Sequence, residues 1–437
     1  MHIDFFLGYL IPSLVGIFIT LLCRRDCHDP VKSAIFLVSQ ILILRYFGGG
    51  TPYSAQFVVL AILSGYVGFT FWAKASHKIF LRYIGVVFFL LYLGYWAFEK
   101  YFLPLGWSTF ALKGMQNMAL VAPSEIAENI TEFASAIQEF IIHPPVVMFG
   151  ISYIGFKLIH FFVDYRADEI KKPTLLEFLN WLFFFPSIIA GPMIRFQDWN
   201  EQREKNVLNK VEIATGVRRI VLGLFMKLVI ADNIHGLTIA ALTPGAASSI
   251  TLWQLALMAC FYTIYIYFDF AGYSHIAIGL GHFWGIRLPE NFNAPYKARN
   301  LAEFWNRWHM SLSLILRDYL YYPVSLYLKR IPQLRKHPVV TTIIPPFVTF
   351  LLAGIWHGAG LGFVIFGALH GIGLSYLAVA KRYKRTSPFA QWWANSPFAH
   401  VCSTLITFFY VSFAFIFFCL PIDKLSMIWN TLTQTSS

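Results

Sequence analysis

Apolar residues run in long blocks from one end of the chain to the other, at 5–22, 32–47, 54–73, 80–98, 145–163, 213–231, 252–281, 340–356, 358–380 and 398–420. About 20 apolar residues in a helix cross the hydrocarbon core of a bilayer, and shorter blocks cross with local thinning or snorkelling. These blocks predict about 10 spanning helices. Two further apolar stretches have a different texture. Residues 178–194 carry Pro186, Gly191 and Pro192, and residues 311–328 carry Arg317, Asp318 and Pro323. Irregular backbone is tolerated at membrane depth only inside protein or along a cavity, so both read as re-entrant or interfacial elements. The predicted fold class is an all-α polytopic membrane protein, with spanning helices and the two odd elements arranged around a central tunnel. A single membrane domain, 1–437, divides into N-terminal helices (1–98), an outer loop (99–144), a core (145–380) and a C-terminal helix with its tail (381–437).

Two blocks say more. Block 252–281 would be roughly 45 Å long as one continuous helix, more than a bilayer needs. Gly272, Gly279 and Gly281 offer places to bend or to approach another backbone closely. In the outer loop, residues 124–142 have helical periodicity behind Ser124 as an N-cap, with Glu125, Glu128, Glu132 and Glu139 along them. That pattern predicts an amphipathic helix lying on lipid or on a partner.

Composition supports lipid as the solvent. Of 437 residues 57% are hydrophobic and 13% charged, about half the usual charged share of a soluble protein. Net charge is +12, which in a soluble chain would suggest nucleic acid. Here the basic residues follow the membrane instead. With the first block running outside to inside, the inner loops are 23–32, 74–82, 164–177, 195–219, 282–310, 317–337 and 381–385, and they hold 28 of the 34 lysines and arginines. This asymmetry sets the orientation by the positive-inside rule. It places both termini outside the cytoplasm and returns each odd element to the side it left. Phe5–Leu22 reads as a spanning helix rather than a cleavable leader. The five cysteines, Cys23, Cys27, Cys260, Cys402 and Cys419, have neither disulfide nor zinc spacing.

Ionisable residues in lipid are costly and face a cavity or a partner. Asp269, in Tyr267-Phe268-Asp269-Phe270, reads either as an orienter of a histidine or as a buried carboxylate bonded to backbone or tyrosine. Glu303-Phe304-Trp305-Asn306-Arg307-Trp308-His309 forms a dense polar and aromatic run. Arg307 suits a phosphate or carboxylate, or a salt bridge to Glu303 one turn back. His309 opens the following apolar element. His357, in Gly354-Ile355-Trp356-His357-Gly358, lies inside an apolar run, and His370 follows in Leu369-His370-Gly371. A histidine there is either structural or a general base, because its ordinary pKa lies near neutrality. No metal-ligand spacing, phosphate loop or dinucleotide fingerprint is present.

Four blocks together resemble the membrane-bound O-acyltransferase family. The first is Phe185-Pro186-Ser187-Ile188-Ile189-Ala190-Gly191-Pro192-Met193-Ile194-Arg195-Phe196. The second is Phe268-Asp269-Phe270-Ala271-Gly272-Tyr273-Ser274 with Ala277-Ile278-Gly279. The third runs from Pro289-Glu290-Asn291-Phe292-Asn293 through Trp305-Asn306-Arg307-Trp308-His309-Met310-Ser311 to Arg317-Asp318-Tyr319. The fourth is Gly354-Ile355-Trp356-His357-Gly358 with Gly367-Ala368-Leu369-His370-Gly371. Within the family the chain is similar to the bacterial branch that decorates envelope polymers. One subgroup of that branch acetylates exopolysaccharides such as alginate, and another moves D-alanine onto teichoic acids. Val324-Ser325-Leu326 stands where the alginate-type subgroup has a glycine-glycine-asparagine-arginine run.

The resemblance implies an O-acyltransferase in the bacterial cytoplasmic membrane. No tightly bound cofactor is implied. The acyl donor is a substrate, either an acyl coenzyme A or a phosphopantetheine carrier protein, arriving from the cytoplasm. The acceptor is a hydroxyl of an extracytoplasmic envelope polysaccharide or of an accessory acyl-transfer protein. In this reading His357 is the general base and His309 its partner, while Asp269, Trp305, Asn306, Arg307 and Arg317 bind or orient substrate. Acetyl is the favoured acyl group and D-alanyl the alternative. The rival classes are a transporter, for which the two broken elements would be paired half-helices, and a scaffold of a polysaccharide secretion complex.

Overall fold

The structure is a computed structural model that describes residues 151–434, apart from 172, 189, 206–207, 244–249, 359, 384–391 and 394–395. The predicted spans at 5–22, 32–47, 54–73 and 80–98, the outer loop with its amphipathic helix, and Cys23 and Cys27 lie outside the described residues. The chain divides into two compact units at Ile189 and Ala190.

In the first unit, α1 (Ile151–Arg166) precedes two short helices, α2 (Leu175–Leu182) and α3 (Phe185–Ile188). Thr174 caps α2 in a reciprocal box with Glu177. The stretch predicted to be irregular is indeed broken at Phe183 and Phe184, where Pro186 begins a new turn. Buried Lys157 of α1 satisfies the carbonyls freed there. Its ammonium donates to Trp181 O (3.1 Å), Leu182 O (3.3 Å) and Ser187 Oγ (2.9 Å), so the break carries no orphaned acceptor at those positions.

The second unit starts with α4 (Phe196–Lys205) and α5 (Lys210–Leu224), which Asn209 caps and which continues as a π-helix through Phe225–Ala231. Next comes α6 (Leu252–Phe283), capped by Thr251 with Gln254. It is one continuous helix, so its glycines serve close approach rather than bending. A Cβ on Gly279 would lie 2.6 Å from Gly216 O, and one on Gly272 would lie 2.8 Å from Gly223 O. Both glycine pairs are spaced seven residues apart, two helical turns, so α5 and α6 meet backbone to backbone along a seam. In the same antiparallel register, three polar positions of α5 and its π-helical continuation find partners on α6. Glu212 pairs with His282 (2.5 Å), Arg219 with His275 (2.7 Å) and Lys227 with Asp269 (2.6 Å).

Beyond α6 lie α7 (Leu301–Trp305) and α8 (Met310–Leu316), a π turn at Arg317–Tyr321, and α9 (Tyr322–Arg330). The long helices α10 (Pro338–His357), α11 (Leu361–Tyr383) and α12 (Pro397–Cys419) follow, then α13 (Ile422–Gln434). Among the described residues α6, α10, α11 and α12 are long and apolar enough to cross a membrane. Their surfaces agree with that. Phe398, Val401, Leu405, Phe409 and Phe413 of α12 form an outward stripe at helical spacing, each at least half exposed, a face that water would penalise and lipid accepts. The other faces close over an aromatic core of Tyr262, Phe304, Trp305, Trp308, Phe366 and Phe415.

Candidate active site

His309 sits in the turn between α7 and α8 with φ 44° and ψ 52°. Left-handed backbone is uncommon for a side-chain-bearing residue and persists only where the surroundings impose it. Here the imposing segment is Pro289-Glu290-Asn291-Phe292-Asn293. Met310 N–H donates to Asn291 O (2.9 Å), and Asn293 N–H donates to Arg307 O (2.9 Å). The buried Asn291 side chain accepts from Ser311 Oγ (2.6 Å) and donates to Ser274 Oγ (3.1 Å) on α6. Ser311 Oγ in turn accepts from Met193 N–H (3.0 Å). The histidine is thus strapped down from three directions. Its ring packs edge-on against Phe270 at 4.7 Å and is 4% exposed.

His357 ends α10 and is half-buried. It is walled by Trp356 (4.7 Å), Phe418 (5.0 Å), Phe366 (6.1 Å) and Phe363 (6.4 Å), drawn from α10, α11 and α12. Small residues bring these helices together: a Cβ on Gly354 would sit 2.8 Å from Gly367 Cα. The two imidazoles are close enough to interact electrostatically. Burial, with His357 adding to it, pushes His309 down from 6.5 to about 3. His309, which lies outside the spanning helices, is therefore neutral at physiological pH.

The other candidates are spread around this pair. Trp305 is buried and donates its indole N–H to His370 Nδ1 (3.2 Å). Asn306 is exposed, and its backbone N–H closes α7. Arg307 takes the salt bridge to Glu303 (2.9 Å) and also donates to Asn293 O (3.1 Å), so it too binds the strap to the turn. Arg317 pairs with Asp318 (2.8 Å), which Arg195 also engages. Asp269 engages Lys227 rather than a histidine, and Lys227 reaches Asp232 as well (2.6 Å). The roles of Asn291, Ser311, Lys227 and the Trp305–His370 bond were not read from the sequence. The signal available was the density of small polar residues inside apolar blocks.

The membrane-bound O-acyltransferase family model matches residues 91–420. This chain belongs to that family. It is 32% identical to a protein of Pseudomonas fluorescens named Probable alginate O-acetylase, over 76% of this chain and 63% of that protein. It is 31% identical to the teichoic acid D-alanyltransferase of Bacillus subtilis, over 67% of this chain and 76% of that protein. It is 34% identical to the peptidoglycan O-acetyltransferase of Helicobacter pylori, over 62% of this chain and 54% of that protein. The chain thus spans about two thirds or less of the acetylating relatives it matches.

Proposed function

We propose that this membrane protein transfers an acyl group, acetyl in the favoured reading, from a cytoplasmic thioester to a hydroxyl of an extracytoplasmic envelope polymer or accessory acyl-transfer protein. The observation that carries the reading is the pairing of a half-buried His357 with a buried, neutral His309 inside an aromatic wall. In the proposed step the acceptor hydroxyl oxygen attacks the thioester carbonyl carbon while His357 takes the hydroxyl proton. The carbon–sulfur bond breaks, and the leaving thiolate takes that proton from His357. The products are an ester and a free thiol. A neutral His309 orients the donor carbonyl or polarises it through an N–H, as a hydrogen-bond donor and not as a cation.

Basic loops on the cytoplasmic side would attract an anionic coenzyme or carrier protein. The bacterial cytoplasmic membrane, with both termini outside, is the setting that suits this polarity. Asp269, Trp305, Asn306, Arg307 and Arg317 then serve mainly through the elements they fasten, and the donor remains a substrate rather than a resident cofactor. D-alanyl transfer is the second reading, favoured by the extent of the match to the teichoic acid enzyme and by Val324-Ser325-Leu326 in the third block.

The test is mass spectrometry of envelope polymers from cells carrying the wild-type chain or His357→Ala. Loss of an acetyl mass with the variant stably inserted supports the favoured reading, and loss of an alanyl mass supports the second. Unchanged esters at equal protein level would favour a transporter or a scaffold.

A further inference from the structure

We infer that His370 is a positioning residue whose hydrogen bond from Trp305 holds the His309 turn in register with the helix pair that carries His357. The inference rests on the acyl-transfer reading for its consequence, and on geometry for its substance. His370 lies on α11 and is fully buried. Its Nδ1 accepts the Trp305 indole N–H at 3.2 Å, and the two rings meet edge to face at 5.1 Å. Trp305 is the last residue of α7, four residues before His309. It is wedged against Phe350 of α10 at 4.7 Å. One helical turn before His370, Phe366 lies edge-on to both His370 (4.6 Å) and His357 (6.1 Å). The same region is pinned to α12, where Tyr410 Oη donates to Leu369 O at 2.6 Å. Gly373, without a side chain, lets Leu301 of α7 seat against α11.

Chemistry argues that His370 does more than fill space. An Nδ1 that accepts requires the proton on Nε2, and Nε2 is buried with no protein acceptor among the described residues. An unmet buried N–H costs stability that leucine or phenylalanine of similar bulk would avoid. What the histidine supplies, and they would not, is an acceptor for Trp305. Asparagine places its Oδ1 near the same position.

The experiment uses the full chain in membranes, with two readouts. The first is polymer ester content. The second is independent of activity: cross-linking yield by a short bis-maleimide in a His309→Cys/His357→Cys background, mapped by peptide mass. His370→Leu and Trp305→Phe are each expected to cut ester content about tenfold and cross-linking several-fold, at unchanged membrane abundance. His370→Asn is expected to restore most of both. Combining Trp305→Phe with His370→Leu should add little to either single change. The inference is overturned if His370→Asn behaves like His370→Leu, if the two losses multiply, or if every variant loses activity only in step with its abundance. Should the wild-type chain form no ester while cross-linking follows the expected pattern, the acyl-transfer reading falls and the positioning role stands.

Discussion

His309 combines backbone strain, burial and neutrality in a single residue. A histidine held near 3 stays uncharged throughout the range where its ordinary value would make it switch. Between 6.5 and about 3 the unfolded chain binds a proton that the folded chain refuses. Its burial therefore costs nothing above 6.5, and stability is lost as pH falls below that value. Asparagine also tolerates left-handed backbone, so His309→Asn should keep the turn and the membrane abundance. We expect it to slow transfer by about a hundredfold while leaving the shape of the pH–rate profile between about pH 5 and 8 unchanged. A limb of the profile that vanishes in the variant would show that His309 does titrate in the cycle. The sequence marks this residue only as a histidine at the head of an apolar element. Its strain comes from Asn291 and Arg307, which reach it through the strap and the turn.

Among the elements, the seam between α5 and α6 is exacting. It leaves no room for a side chain at Gly216, Gly223, Gly272 or Gly279. Gly279→Leu should push the helices apart and cost several kcal/mol, the range seen for overpacking and above, read as a lowered melting temperature and a smaller folded fraction in detergent. Gly236→Ala is the control, because nothing lies within 4 Å of a Cβ there, and it should be silent in the same assay. Glycines spaced for either a bend or a close contact were legible in block 252–281. The choice between them was not, because it depends on matching glycines in α5, Gly223 opposite Gly272 and Gly216 opposite Gly279, some 50 to 60 residues earlier in the chain.

For the molecule as a whole, one demanding feature is a cation inside an apolar helix that two aspartates share. Lys227 is 2% exposed and is shared by Asp269 and Asp232. Removing the cation leaves two carboxylates facing one another near lipid. Lys227→Met should therefore destabilise the protein by about 1–3 kcal/mol, below the penalty for a fully buried pair because both carboxylates keep a third or more of their surface exposed. Adding Asp269→Asn should recover part of that loss by removing one uncompensated charge. Thermal unfolding of the single and double variants measures both effects, and a double variant no better than Lys227→Met would remove Asp269 from this role. The polar pairs along α5 and α6 are thus first of all fasteners.

The membrane class, the long helices of the described region and the presence of histidines in and beside apolar runs could all be determined from the sequence. Span length is a local property that lipid imposes on each block separately, and a histidine among glycines in an apolar run stands out without any neighbour. The tertiary structure alone decided which polar group meets which. Asp269 met Lys227 and not a histidine, Arg307 added Asn293 to the Glu303 partner that its spacing had offered, and Trp305 met His370 across 65 residues of chain. Such partners depend on the antiparallel register of packed helices and on a loop folded over a turn. No local pattern of hydrophobic and polar positions encodes either one.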